Sequence, residues 1–234
     1  MRNVQTRQMS ESIRLNSVLA VSGGFMDAYS YLQRDHVFAN AQTGNILLFG
    51  VNLSEGNFYT SLRYLLPFMS FAFGILLAEE VRMRHVGHRF FHWRQVAVLI
   101  EALILAGVSF IPLSVNNLAN ALTSFACGIQ VQSFRKTHGN SMATTMCIGN
   151  LRSGVHNLCH YMHTRERKYL SNAFIYFDII LCFVIGAIAG SRFVGLWGIR
   201  SILFSSVLLI CSLIMMFTDY EKKQAASEHE HPEA

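Results

Sequence analysis

"FANAQTGNILLFG", Phe38 to Gly50, decides how this chain folds. A polar, turn-forming group, Gln42-Thr43-Gly44-Asn45, stands directly before an apolar helical run. The run 43–53 holds about 11 residues, which rise only ~16 Å as a helix, half of a roughly 30 Å bilayer core. "MCIGNLRSG", Met146 to Gly154, opens a second such stretch, 149–162, which carries Arg152 and His156. Both are expected to be half-helices that enter a membrane and return on one side.

The rest of the chain supplies the membrane. Of 234 residues, 52% are hydrophobic and 14% charged, well below the quarter typical of soluble domains. Six runs are long enough to span a bilayer: 17–34, 63–81, 95–113, 117–134, 170–191 and 199–218. The net charge of +5 resides between these runs, which points to topology signalling and not to nucleic acid. Arg2, Arg7 and Arg14 precede the first span, and Arg82, Arg84, Arg89 and Arg94 fill the connection after the second. Arg135 and Lys136 follow the fourth span, Arg165, Arg167 and Lys168 precede the fifth, and Lys222 and Lys223 follow the sixth. Both termini are therefore expected in the cytoplasm, with Arg192 and Arg200 as a minor exception. A full crossing by 43–53 would carry the Arg-rich 82–94 connection outside. No cleavable signal is evident. The five cysteines form no C-x-x-C pair and lie in apolar stretches, so structural disulfides are not expected.

The two odd segments correspond. Gly149 lies 105 residues after Gly44, and at that offset Gly23 meets Gly128, Asn45 meets Asn150, Asn52 meets Asn157 and Leu53 meets Leu158. Each half reads helix, half-helix, helix, turn, helix. Three spans per half is odd, so the halves run in opposite orientation, the inverted repeat common in transporters and channels. The expected fold is all-α: six spanning helices plus two re-entrant half-helices, in two inverted three-helix repeats. Residues 1–16 form a cytoplasmic segment, 17–113 the first repeat, 114–218 the second, and 219–234 a disordered tail.

"GGFMDAYSYL" at Gly23–Leu32, the Phe38–Gly50 stretch, "GIQVQSF" at Gly128–Phe134 and "ATTMCIGNLRSG" at Ala143–Gly154 together resemble the YoaK family of uncharacterised bacterial membrane proteins. The first-half pattern, G-F-x-D-A then F-x-A-x-x-T-G-N, is met by Gly24, Phe25, Asp27, Ala28, Phe38, Ala39, Thr43, Gly44 and Asn45. The second, G-x-Q then T-T-x-x-T-G, is met by Gly128, Gln130, Thr144, Thr145 and Gly149, with Ile148 where that copy usually has Thr. The resemblance covers about Leu19 to Phe217 and implies a bacterial plasma-membrane location. It brings architecture and no activity.

Polar residues inside the spans mark the candidate site. A half-helix starting in hydrocarbon exposes about four N–H groups that lipid cannot satisfy. Thr43 is the expected N-cap, and Gly44 would let a backbone or ligand approach. Asp27, in mid-span, is the first candidate to bind a proton or cation, or to hydrogen-bond Gln130 and Gln132; Glu101 and Asp178 come after it. The substrate-binding set is Asp27, Gln42, Thr43, Gly44, Asn45, Gln130, Gln132, Thr144, Thr145, Gly149 and Asn150. His85, His88 and His92, and again His156, His160 and His163, each share a helical face, yet lack a carboxylate or thiolate in register, so no metal is expected. There is no G-x-S-x-G, H-E-x-x-H or P-loop, so no enzyme and no cofactor are expected. The expected partners are the lipid bilayer and a small polar or anionic solute, with a homo-oligomer left open. The expected role is a secondary transporter or channel; the alternative is a non-transporting scaffold or regulatory subunit of another membrane complex.

Overall fold

The computed structural model describes residues 13–84, 93–134, 136–137, 140–141 and 144–230. His85, His88, His92 and Arg89 lie outside them. Among the described residues the chain forms α1 (Ile13–Gln33), α2 (Gln42–Ser54), α3 (Phe58–Arg84), α4 (Trp93–Val108), α5 (Asn116–Ser133), α6 (Cys147–Thr164), α7 (Arg167–Trp197) and α8 (Leu203–Glu230). A two-residue antiparallel ladder, Lys136–Thr137 with Asn140–Ser141, is the one extended feature among them.

The helices pack in a definite pattern. α1 lies against α7, and α3 against α5; α2 lies along α3, and α6 along α7; α4 touches α8 and α5, and α8 touches α1. Glycines set the two closest crossings. A Cβ on Gly128 of α5 would collide with the Phe71 carbonyl of α3, and one on Gly74 of α3 with the Phe125 carbonyl of α5. The other pair repeats this: a Cβ on Gly24 of α1 would meet the Phe183 carbonyl of α7, and one on Gly186 of α7 the Val21 carbonyl of α1. Small residues let backbones touch where no water-driven force joins helices. In these contacts Gly128 corresponds to Gly24, one residue from the Gly23 that an ungapped offset of 105 selects.

The surface is apolar and the interior holds polar groups. Phe73, Leu76, Leu103, Phe174, Leu181, Ile188, Val207 and Ile214 are exposed, whereas Arg34, Asn45, Glu101, Asn120 and Gln130 are buried. Soluble monomers rarely expose apolar surface so widely. Phe58–Arg84 and Arg167–Thr218 are long and apolar enough to cross a membrane.

Arg34 organises one end of the bundle. Its guanidinium is fully buried and donates to Tyr29 Oη, Asn116 Oδ1 and the carbonyls of Val108, Ile111 and Pro112, at 2.8–3.3 Å. Asn120 Nδ2 donates back to the Arg34 carbonyl at 2.8 Å. Val108 is the last residue of α4, and Ile111 and Pro112 lie in the turn after it, so Arg34 binds the end of a helix that stops at Val108 and not at the expected 113.

Other elements run longer than expected: α3 has 27 residues and not 19, and α7 has 31 and not 22. α6 has 18 residues and not 14, because its start reaches back to Cys147 and its end runs to a left-handed Arg165 (φ 57°). The backbone of α8 continues helical to Glu230, through part of the segment expected to be a disordered tail.

Candidate functional site

The chain turns back on itself after α1. Asp35 and His36 adopt left-handed backbone, φ 62° and 57°, a conformation uncommon outside glycine. Residues 37–41 then run back beside the helix they have just left. The Asn40 N–H donates to Asp27 Oδ1 at 2.6 Å, and Asn40 Nδ2 donates to the Gly23 carbonyl at 3.1 Å. The N–H groups of Ala39 and Ala41 also face the Asp27 carboxylate. α2 therefore begins beside the middle of α1, about 10–15 Å back from its end at 1.5 Å per residue.

The Thr43-Gly44-Asn45 group secures this turn. Asn45, fully buried, donates from Nδ2 to the Phe38 carbonyl at 2.7 Å and to Gln42 Oε1 at 2.9 Å, and accepts the Phe38 N–H on Oδ1 at 3.0 Å. Gln42 Nε2 donates to the Ala39 carbonyl at 2.8 Å. Gly44 faces the Phe38 ring, whose Cδ2 would lie 2.7 Å from an added Cβ. Thr43 is not the N-cap: Ala41 holds that position, without a side-chain capping bond. The loop carbonyl of Ala41 accepts the Gly44 N–H instead, at 2.9 Å.

The second short helix starts in the same place. Thr145 packs its methyl group against Gly23, and Gln130 Nε2 donates to the Leu19 carbonyl at 3.2 Å and to Thr144 Oγ1 at 3.3 Å. Met146 caps α6, again with no side-chain bond. Thr145 is only 4% exposed and its Oγ1 has no hydrogen-bond partner.

Between the two starts lies a cavity of about 580 Å³. Asp27 and Tyr31 of α1, Asn40 to Thr43, Thr145 to Gly149, Phe38 and Phe183 line it. Asp27 is the one charged side chain on its wall among the described residues. Tyr31 and Phe38 stack at 5.2 Å between ring centres.

Of the expected site residues, Asp27, Gln42, Thr43, Thr145 and Gly149 reach the cavity. Gly44, Asn45, Gln130 and Thr144 lie behind it as supports, and Asn150 is buried in the first turn of α6. Gln132 is elsewhere: it donates to Glu79, which also pairs with Arg82. Asp27 thus meets backbone N–H groups and Asn40, not Gln130 or Gln132. Asp178 accepts from Ser17 Oγ at 2.9 Å in the α1–α7 contact. The rings of His156 and His160 lie 4.5 Å apart, with His160 stacked on Tyr169.

Asn40, Tyr31, Cys147 and Phe183 were not singled out from sequence. Asn40 lies inside the Phe38–Gly50 stretch, three residues before Thr43. Phe183 is remote in sequence, and only the close approach at Gly24 places it.

A helical bundle with an apolar exterior, buried polar groups and an open cavity between two short-helix starts defines an α-helical membrane protein. The chain belongs to the family described as "Protein of unknown function (DUF1275)", which matches residues 15–215. It is 26% identical over 180 residues to "UPF0700 transmembrane protein YoaK" of Bacillus subtilis (strain 168), covering 74% of this chain and 80% of that protein. No solved structure matches the chain.

Proposed function

We propose that this protein is a secondary transporter or channel of the bacterial plasma membrane, carrying a small polar or anionic solute through a site at the starts of α2 and α6. One observation carries the proposal: the two short-helix starts and the mid-helix Asp27 line one cavity. Irregular backbone at membrane depth is tolerated where it lines a cavity or is buried in protein. A helix start there brings about half a positive charge, and the first turn of α6 carries no side-chain capping bond on its N–H groups.

The same proposal makes the two halves inverted repeats, with α2 and α6 re-entrant, six spans and both termini cytoplasmic. The helix pairings support it. Exchanging α1 with α5, α2 with α6, α3 with α7 and α4 with α8 turns the list of principal contacts into itself. The reciprocal glycine contacts, Gly128 with Gly74 and Gly24 with Gly186, follow the same exchange.

The test is reconstitution into vesicles and uptake of a panel of small neutral and anionic solutes. Uptake above protein-free vesicles, lost on Ala41→Trp, is the expected result. No uptake of any solute, with the protein folded, would favour the scaffold.

A further inference from the structure

The cavity holds its own anion. Asp27 already accepts the Asn40 N–H, and the neighbouring N–H groups of the loop face it. Two helix starts together bring roughly one positive charge, and an ionised Asp27 balances it. A solute anion added to that state would leave one negative charge uncompensated in a site without a Lys or Arg on its wall. An anion added to the protonated state restores the balance.

We propose that the cavity binds a small monocarboxylate together with one proton, the proton going to Asp27 and the carboxylate to the donors at the start of α6. This rests on the transport reading above and names its substrate class. The proton comes from hydronium, replenished by the buffer: its O–H bond breaks to leave water, an O–H bond forms on Asp27 and cancels its negative charge, and the solute brings one negative charge in exchange.

Three features select this ligand. Thr145 Oγ1, buried and without a partner, offers a hydroxyl donor beside the uncapped first turn of α6. Tyr31, Phe38, Met146, Ile148 and Phe183 give the rest of the wall an apolar character that suits a hydrocarbon body. A volume of about 580 Å³ falls in the usual range for small-molecule sites. A divalent anion such as sulfate would exceed the available positive charge.

The titratable groups facing Asp27 are few. α5 brings Cys127 and α6 brings Cys147, while Tyr31 comes from its own helix. α7 presents Phe183 to the cavity. Glu101 of α4 lies beyond Cys127. Asp27 is thus the group placed to exchange a proton with the solute's charge.

The experiment uses the full chain in nanodiscs, titrated with benzoate by calorimetry in two buffers of different ionisation enthalpy. Where Asp27 is ionised in the empty site, close to one proton should be taken up per benzoate, and the apparent Kd should rise about tenfold per pH unit. Asp27→Asn keeps an acceptor for the Asn40 N–H; it should bind benzoate with no proton uptake and no pH slope. Thr145→Val should weaken binding about tenfold, as loss of one hydrogen bond implies, with the proton count unchanged. Benzoate bound without proton uptake, or a slope retained in Asp27→Asn, overturns the proposal. No benzoate binding overturns it too; vesicle uptake of a neutral solute such as glycerol would then leave the transport reading standing, and no uptake at all would remove both.

Discussion

Asn45 and Phe38 are tied by two hydrogen bonds, the Phe38 N–H to Asn45 Oδ1 at 3.0 Å and Asn45 Nδ2 to the Phe38 carbonyl at 2.7 Å. One side chain thereby satisfies both backbone groups of a residue in a turn that has no helix or sheet to do so. The motif Thr43-Gly44-Asn45 is in this sense a latch. It holds 37–41 against α1 and fixes where α2 begins.

Asn45→Leu should therefore unfold the protein before it affects any ligand. Each buried backbone group left unpaired costs about 1–3 kcal/mol. In detergent the melting temperature should drop sharply, whereas Thr43→Val, at an exposed position, should leave it nearly unchanged. Equal melting of the two variants would contradict the latch.

Arg34→Met should destabilise, because it leaves buried neutral acceptors unpaired at about 1–3 kcal/mol for each one that water cannot reach. Five acceptors from three parts of the chain lose their donor. Arg34→Lys should recover only part, because an ammonium cannot reproduce the guanidinium fork. Thermal melts of both variants check this, and full recovery by Lys would contradict it.

The glycines separate into packing and open positions. Gly128→Val should break the α3–α5 contact, since a Cβ there meets the Phe71 backbone. Gly149→Ala, in the first turn of α6, has nothing within 4 Å of its new Cβ and should fold with a melting temperature no lower than that of the parent. Expression and melting of the pair read the difference directly.

The proposed topology predicts that Asn57→Cys is labelled by an impermeant thiol reagent from outside the cell and His88→Cys is not. Strong external labelling at position 88 would place the Arg-rich connection outside and remove the inverted repeat.

Much of this was legible in the sequence. The long apolar runs and scattered arginines announced a membrane protein, and the short run after Gln42 announced a helix that starts late. Hydropathy could not say why it starts there. Thr43-Gly44-Asn45 has the composition of a cap or of a ligand site; the structure uses Asn45 for the turn, Gly44 to admit the Phe38 ring, and leaves Thr43 toward the cavity. Asp27 stood out because a carboxylate in an apolar run is costly. Its partner, Asn40, could not be read off, since the chain reversal at Asp35 and His36 depends on left-handed backbone that these residues do not announce. Gln132 was misplaced because a one-residue shift along α5 turns a side chain by about 100°, toward Glu79 and away from the cavity.

The start of α6 borders an open cavity. Cys147 lines it and is half-buried, while Cys127 is fully buried behind it. With Cys159, Cys182 and Cys211 replaced by alanine, the rate at which Cys147 reacts with a small, impermeant, water-borne methanethiosulfonate reagent tests that claim most directly. The cavity predicts rapid labelling of Cys147, slowed at least tenfold by Ala41→Trp, with Cys127 inert. A Cys147 as unreactive as Cys127 would mean a sealed midplane and would contradict the account.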